Sequence, residues 1–546
     1  MKEKTFQCDV LVVGVGLAGS RAANEAARGG AGVIIVGKSG AVASTEVMGF
    51  NIAVRPEDSA QTYYEDLLRG GNYINNKELA WVQAEESRGQ VPYLESLGFE
   101  FDKCEDGTYH AQHPIGSTCP RLIHQKAISG IKALSLIRKD NAERGVMEHM
   151  DVMITDLIRI DGRVVGAVGL DLVDGAFVTY QAGAVVLSTG GCGRMYPVST
   201  YPEGIVGDGY AIAYRAGAEL VDMEFLQYEP CCFVCPEKIM GMPIPTTMMM
   251  KGAKLLNGEG NTFIENYGLS EENVQKGELS RAMAAEIAAG RGLAHGGVLY
   301  DLRMLPEDMV KIEHCIFYDP ALAAGIDIWK EPPEVAPAAH SCLGGVRIGT
   351  RAQSTVPGLY ASGEAAGGVH GANRLGGSSG AEVLTFGAIS GRNAVRWAKR
   401  EAEAVSDEAF TQAVEAKKQR CGELSGLNGA IPVSELTDRL RLLVHEKVGI
   451  LRCEKDLRDA SAELNKVEAA MRDARVNCTA DLKDIFQLEN MILNARMQVM
   501  CSLLREESRG VFYRTDYPER DDAQWIKNNI VSCTEGTMTV KTVPCQ

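Results

Sequence analysis

Apolar and polar positions along the chain follow two rhythms. Residues 9–13 form a short apolar run closed by Gly14, residues 20–28 are Ala-rich and helix-forming, and residues 33–36 are a second apolar run. A buried strand, a helix and a buried strand in that order predict a βαβ opening. Residues 184–187 repeat the buried-strand pattern. Between about residues 225 and 337 Met, Pro and mixed polar segments replace that rhythm, which predicts an inserted cap. From about residue 406 the pattern turns helical. Leu436, Leu440, Leu443, Val444 and Val448 recur at spacings of three and four and share one face. Stretches at 460–475 and 482–505 look alike, and the chain closes in a mostly extended tail from Tyr513.

Glycine marks the turns between these elements. Gly14-Val15-Gly16-Leu17-Ala18-Gly19 lies between the first strand and the first helix. In that context GxGxxG reads as a dinucleotide fingerprint. Gly14 allows the turn, Gly16 lets the backbone approach a pyrophosphate, and Gly19 lets the helix sit close to the strand. The helix N-terminus then faces the phosphates. Gly37, followed by Lys38 and Ser39, stands where an NAD site has its ribose-binding acid; this argues against NAD and leaves FAD open. Ser188-Thr189-Gly190-Gly191 follows the later strand, and a third glycine-rich stretch at 357–391 holds Gly363-Glu364 and the run from His370 to Ser379. Three such turns, far apart in sequence, imply one extended ligand gripped in several places.

Composition narrows the class. The 546 residues suffice for three or four domains' worth of core. Lys plus Arg is 56 and Asp plus Glu is 72, a net charge of −16, which disfavours nucleic acid as a partner. No apolar run is long enough to cross a bilayer, and the N-terminal residues lack a signal peptide's apolar stretch. Fifteen cysteines without such a signal predict a reducing cytoplasm. No cluster-type cysteine array or haem motif is present, so the sequence predicts at most one redox centre of the chain's own.

The motifs resemble those of one family: the flavoprotein subunits of succinate dehydrogenase and fumarate reductase, together with L-aspartate oxidase. The resemblance rests on His370-Gly-Ala-Asn-Arg-Leu-Gly-Gly, on Ser508-Arg509-Gly510 with Tyr513-Arg514-Thr515-Asp516-Tyr517-Pro518, and on Gly207-Asp208-Gly209 and Glu224-Phe225-Leu226-Gln227. It implies an α/β fold: a Rossmann-like FAD-binding domain at 1–225 and 338–404, a capping domain at 226–337, a helical bundle at 405–512 and a tail at 513–546. It also implies hydride transfer between flavin N5 and a carbon next to a carboxylate. Gly14, Gly16, Gly19, Lys38 and Ser39 are expected on the pyrophosphate side, Asp208 and Glu364 on the adenosine and ribityl parts, and Ser379 near the isoalloxazine. Ser44, Thr45 and Gly190 complete the expected cofactor set. Relatives that attach FAD covalently do so through a His after the second strand. Residues 41–45 contain none, so the resemblance implies non-covalent FAD. It further implies an iron–sulfur or other electron-transfer partner, and a cytoplasmic chain that reaches a membrane only through that partner.

Reducing an activated C=C needs a hydride donor, a proton and stabilisation of developing enolate charge. Arginine suits the last need because it meets a carboxylate bidentately. Arg281 in the cap, His340, and Arg374 in the glycine-rich loop match the family's catalytic and carboxylate-binding positions. Other positions depart from it. The family's Gln-Phe-His-Pro-Thr is here Gln227-Tyr228-Glu229-Pro230-Cys231, and its acidic glycine-rich segment is Thr246-Thr247-Met248-Met249-Met250-Lys251-Gly252. Glu229 and Thr247 are therefore expected at the substrate, with the methionines as a soft apolar wall. A glutamate in place of the imidazole repels a second carboxylate, so a substrate other than fumarate or succinate is expected. L-Aspartate oxidation, sulfur chemistry of the adenylylsulfate reductase kind and pure electron transfer rank behind this reading. Cys231, Cys232 and Cys235 present a metal or disulfide pattern without an evident second ligand pair.

Overall fold

The computed structural model describes residues 2–126, 128–272, 275–313, 315–403, 405–534 and 536–545. β1 (Glu3–Val13) ends in wholly buried residues, α1 (Leu17–Arg28) follows, and β2 (Val33–Gly37) is buried throughout. Val10 and Val12 of β1 pack with Ala22, Ala23 and Ala26 of α1 and with Val33 and Ile35 of β2. Continuous apolar runs of this kind suit a parallel sheet covered on both faces. β3 (Met147–Met150), β4 (Val152–Ile160), β5 (Arg163–Asp171) and β6 (Phe177–Leu187) complete a sheet of order β3-β2-β1-β6-β5-β4. β3, β2, β1 and β6 run parallel, and β5 and β4 are added antiparallel. The C-terminal ends of β1, β2 and β6 share one edge. That edge is the crevice where such folds bind ligands. α2 (Asp208–Arg215) starts beside it.

The cap is a separate layer. β7 (Leu226–Phe233), β8 (Lys254–Leu256), α3 (Lys276–Glu286), β9 (Val298–Asp301) and β10 (Glu334–Cys342) build it, with antiparallel order β7-β10-β9-β8. Its core is its own: Phe233, Ile244, Met248, Leu279, Met283 and Tyr300 pack together. β7 and β10 are long enough to leave the cap, and Tyr228 and Ala339 belong to a different core, shared with the C-terminal helices. β11 (Leu359–Ala361) pairs in parallel with β6, and α4 (Ser378–Arg400) packs on α1.

α5 (Asp407–Ser425), α6 (Val433–Lys447), α7 (Glu454–Ala470) and α8 (Thr479–Leu504) form the helical region. Leu436, Leu440, Leu443, Val444 and Val448 are all buried, as their spacing requires. The tail is extended but not free. β12 (Lys527–Thr534) and β13 (Thr537–Pro544) form a hairpin that joins the short strand Leu220–Val221, and Ile530 and Val531 are buried. The two hairpin strands thus join a second sheet with segments of the FAD-binding domain. Among the described residues no helix is long and apolar enough to cross a membrane.

Candidate active site

One cavity of about 590 Å³ runs from the glycine turn after β1 to the underside of the cap. At one end it is lined by Gly14, Gly16, Lys38, Ser39, Ser44, Gly190 and Asp208. Glu364, Gly377 and Ser379 continue the lining, and Glu229, Lys276, His340 and Arg374 close the other end.

The first end is built from backbone. Gly14 has φ +114°, and a Cβ there would lie 2.1 Å from the Ser188 carbonyl oxygen. A Cβ on Gly19 would lie 1.8 Å from the Gly14 carbonyl oxygen. Only glycine lets α1 start this close to β1 and β6. Gly19 acts through that packing and does not line the cavity. Thr45 also lies outside it: the side chain is exposed and donates to the Val42 carbonyl at 2.9 Å. Ser44 accepts from the Leu17 amide at 2.9 Å, at the start of α1. Lys38 ion-pairs with Asp208 and also donates to the Gly204 carbonyl. An elongated cavity over a helix N-terminus, walled where a Cβ cannot fit, suits the pyrophosphate and ring system of FAD. His340 is the one histidine among the described lining residues, and none lies at 41–45.

Glu364 stands midway. Its carboxylate accepts from the Tyr201 hydroxyl and from the Cys342 amide at 2.7 Å. Burial pushes its pKa up to about 7, against those two hydrogen bonds.

The second end is built from side chains. His340, near the end of β10, has Nδ1 3.0 Å from the Thr200 hydroxyl and Nε2 3.8 Å from Glu229 Oε2. Burial pushes its pKa down to about 3; Glu229 opposes this, and Arg374 and Lys276 add to it. The ring is therefore neutral at pH 7. The Thr200 hydroxyl meets Nδ1, and Nε2 is the ring nitrogen on the Glu229 side of the cavity. Arg374 is largely buried, and its Nε has no hydrogen-bond partner. Burial lowers its pKa, and Glu229 and Glu364 oppose the shift. No carboxylate lies within ion-pair distance of it among the described residues. Gln227 fixes its loop by donating to Asn373 Oδ1 at 2.9 Å and to the Arg374 carbonyl at 3.2 Å.

Glu229 is not the bare anion the sequence predicts. Lys276, the first residue of α3, ion-pairs with its Oε2. Burial alone would raise the Glu229 pKa, but Lys276, His340 and Arg374 outweigh it and hold the pKa below the ordinary value. The far end of the cavity is thus an ion pair whose lysine is still 39% exposed. Sequence reasoning missed Lys276. The available signal was its place five residues before Arg281 on one cap helix.

Three other expectations need correction. Arg281 does not line the cavity. It donates to the Gly510 carbonyl at 3.2 Å and lies 5.3 Å from the centre of the Tyr513 ring. Gly510 in turn abuts the loop that carries Arg374, since the Val511 amide donates to the Ala372 carbonyl at 2.9 Å. Arg281 is therefore placed behind that loop, without a carboxylate in ion-pair distance among the described residues. The methionines form no wall. Met248 and Met249 are buried in the cap core and Met250 is exposed, while Pro243 and Pro245 line the cavity. Thr247 is exposed and lies outside it. The C-terminal motif is structural: Arg509 pairs with Glu507, and Arg514 with Asp516.

A glycine cradle for a dinucleotide, running under a cap to buried cations, defines an FAD-dependent oxidoreductase. Residues 9–379 match the family model described as FAD binding domain, and residues 437–546 the one described as Fumarate reductase flavoprotein C-term. A subunit of the fumarate reductase (CoM/CoB) of Methanothermobacter marburgensis is 35% identical, over 95% of this chain and 96% of its own length. The fumarate reductase flavoprotein subunit of Mycobacterium tuberculosis is 30% identical, over 99% and 97%. The structure of E. coli quinol fumarate reductase FrdA superposes with a TM-score of 0.92 at 26% identity, covering 99% of this chain and 97% of that one. The chain belongs to the fumarate reductase and succinate dehydrogenase flavoprotein family.

Proposed function

We propose that the chain interconverts an unsaturated dicarboxylate of fumarate type and its saturated product. The observation that carries this is Arg374: a largely buried guanidinium, lacking a carboxylate partner and with an orphaned Nε, beside His340 in the flavin cavity. A buried cation without a counter-ion is costly; a substrate carboxylate removes that cost by meeting it with charge-assisted hydrogen bonds. Bound FAD would supply the hydride in reduction and accept it in oxidation, and the accompanying proton at the neighbouring carbon would be taken from, or released to, solvent. Neutral His340 donates from Nε2 to the same carboxylate. Lys276 receives the second carboxylate, and the positive end of the α3 dipole adds to the attraction. Arg281 adds positive potential from behind the Arg374 loop as enolate charge develops.

This replaces the expectation of a substrate other than fumarate. Repulsion between two charges at about 4 Å is on the order of 4 kcal/mol at an effective dielectric of 20, and Lys276, in contact with Glu229, offsets it. The Methanothermobacter relative, a fumarate reductase by name, supports the same substrate class. That it is one subunit of several supports an electron-transfer partner, for which an iron–sulfur protein is the natural candidate. Neither amino-acid oxidation nor electron transfer without a substrate is favoured by these relatives.

The test uses chemically reduced enzyme mixed with fumarate or with crotonate, which lacks the second carboxylate. Flavin reoxidation by fumarate is expected at least about tenfold faster in kcat/KM terms, a difference of about 1.4 kcal/mol. Equal or faster reoxidation by crotonate sinks the two-carboxylate reading and restores Glu229 as a repulsive contact.

A further inference from the structure

We propose a site for a divalent cation of zinc type in the cap, formed by Cys235, His295 and Glu334. Their donor atoms all lie within 4.8 Å of one another. None of the three lines the flavin cavity. The cysteine run of the sequence is divided by the fold: Cys231 and Cys232 are buried in the cap, while Cys235 leaves the end of β7 and is partly exposed.

The three donors come from adjoining strands at one end of the cap sheet. Cys235 follows β7, Glu334 opens β10, and His295 lies in the loop before β9. Val335 pairs with Phe233 on one side and with Val298 on the other, so the register brings the three strand ends together. Glu334 is already oriented. Its Oε1 accepts from the backbone amides of His295 at 3.1 Å and Gly297 at 2.9 Å, and its Oε2 faces His295 Nδ1 at 2.8 Å. One carboxylate oxygen is thus fixed by the main chain, and the other is turned toward the imidazole. Such outer hydrogen bonds are the usual support of a metal-binding carboxylate.

The donor set selects the ion. A thiolate, an imidazole and a carboxylate together suit zinc and disfavour calcium or magnesium, which prefer all-oxygen sites. Zinc holds sulfur at about 2.3 Å and nitrogen at about 2.0 Å, so the thiol must draw in by roughly 1 Å while the imidazole and the carboxylate, now 2.8 Å apart, open slightly. His295 can supply its share of that movement, since its side chain is 60% exposed. Water completes the fourth position. A bound ion would cross-link β7, β9 and β10 at the end of the sheet.

The test titrates Co²⁺, as a coloured stand-in for zinc, into flavin-loaded enzyme stripped with a chelator. Intense d–d bands to the red of the flavin are expected, saturating at one equivalent per chain and abolished by zinc. Cys235→Ala and His295→Ala should each lose these bands at one equivalent while keeping the flavin spectrum. His295→Ala alters an exposed loop side chain, so it stays informative if Cys235→Ala folds poorly. Wild-type enzyme without red d–d bands, or bands that persist in His295→Ala, overturns the site.

Discussion

The two ends of the cavity are made in different ways. The nucleotide end is main chain: α1 sits against the turn after β1 because Gly19 lies where a Cβ would be 1.8 Å from a carbonyl oxygen. The substrate end is side chain: Glu229 of β7, Lys276 of α3, His340 of β10 and Arg374 of a distant loop meet there. A main-chain cradle leaves little room for variation, since any added atom collides. A side-chain constellation can exchange an imidazole for a Glu–Lys ion pair and keep the local charge near neutral. The cofactor is thus fixed by sterics, and the substrate by an electrostatic balance that several residues share.

The largest effect is expected where sterics rule. Gly19→Ala should abolish flavin binding, because the methyl cannot fit without moving α1 off the sheet. Absorbance of the purified variant at flavin wavelengths checks this. Acid precipitation of the wild type should release all its flavin to the supernatant, as no histidine lies at 41–45. A Gly19→Ala variant with full flavin content would show that the main-chain cradle is softer than described.

Arg281 comes next. A donor in contact with the developing charge is worth about a hundredfold or more in kcat; Arg281 acts from behind the Arg374 loop, so Arg281→Ala should lose about tenfold or more, with normal flavin content. A rate within about threefold of wild type, about 0.65 kcal/mol, would mean that Arg281 only braces the Gly510 segment and that the cap's functional cation is Lys276 alone.

The same contrast explains what the sequence could disclose. Gly14 and Gly16 line the cavity, and they were legible because a glycine fingerprint between a strand and a helix states a local geometric need. The face shared by Leu436, Leu440 and Val444 was equally legible, since periodicity is local. The Lys276–Glu229 pair was not: the two residues are far apart in sequence, and no local rule links a lysine at a helix start to a glutamate on a strand. Met248 and Met249 misled for the same reason, as composition cannot say which wall a side chain joins. Thr45 and Thr247 were assigned by nearness to a motif, and both point to solvent. Cys235 looked like a partner for Cys231 and Cys232 until the sheet register placed it beside Glu334 and His295.

Lys276→Met probes the electrostatic balance directly. It leaves Glu229 buried without its strongest partner, so fumarate kcat/KM should fall about tenfold to a hundredfold, or about 1.4–2.7 kcal/mol. Crotonate should be affected less, because it has no second carboxylate to lose. Adding Glu229→Gln removes the stranded charge and should recover part of the fumarate activity. Equal losses on both substrates would place Lys276 in general support of the cap and not at the second carboxylate.

The smallest effect expected is on stability and belongs to His340. Its pKa in the folded protein is about 3, against about 6.5 unfolded. Between those values the unfolded chain binds a proton that the folded chain does not. The contribution is therefore fully present above about pH 6.5 and is lost as pH falls toward 3. The limiting slope is about 1.4 kcal/mol per pH unit, reduced because the side chain is 27% exposed. Other histidines, among them His124, His149 and His445, are shifted the same way by burial, so only a difference against a variant isolates His340. The low pKa of Glu229 adds its own loss only at more acidic pH, as a carboxylate near 4 begins to bind protons in the unfolded chain. Denaturant unfolding at pH 7 and pH 5 should therefore show the wild type losing more stability than His340→Gln, by up to about 2 kcal/mol. Identical losses would mean that water reaches the imidazole freely, and that the substrate end is no more shielded from solvent than the protein surface.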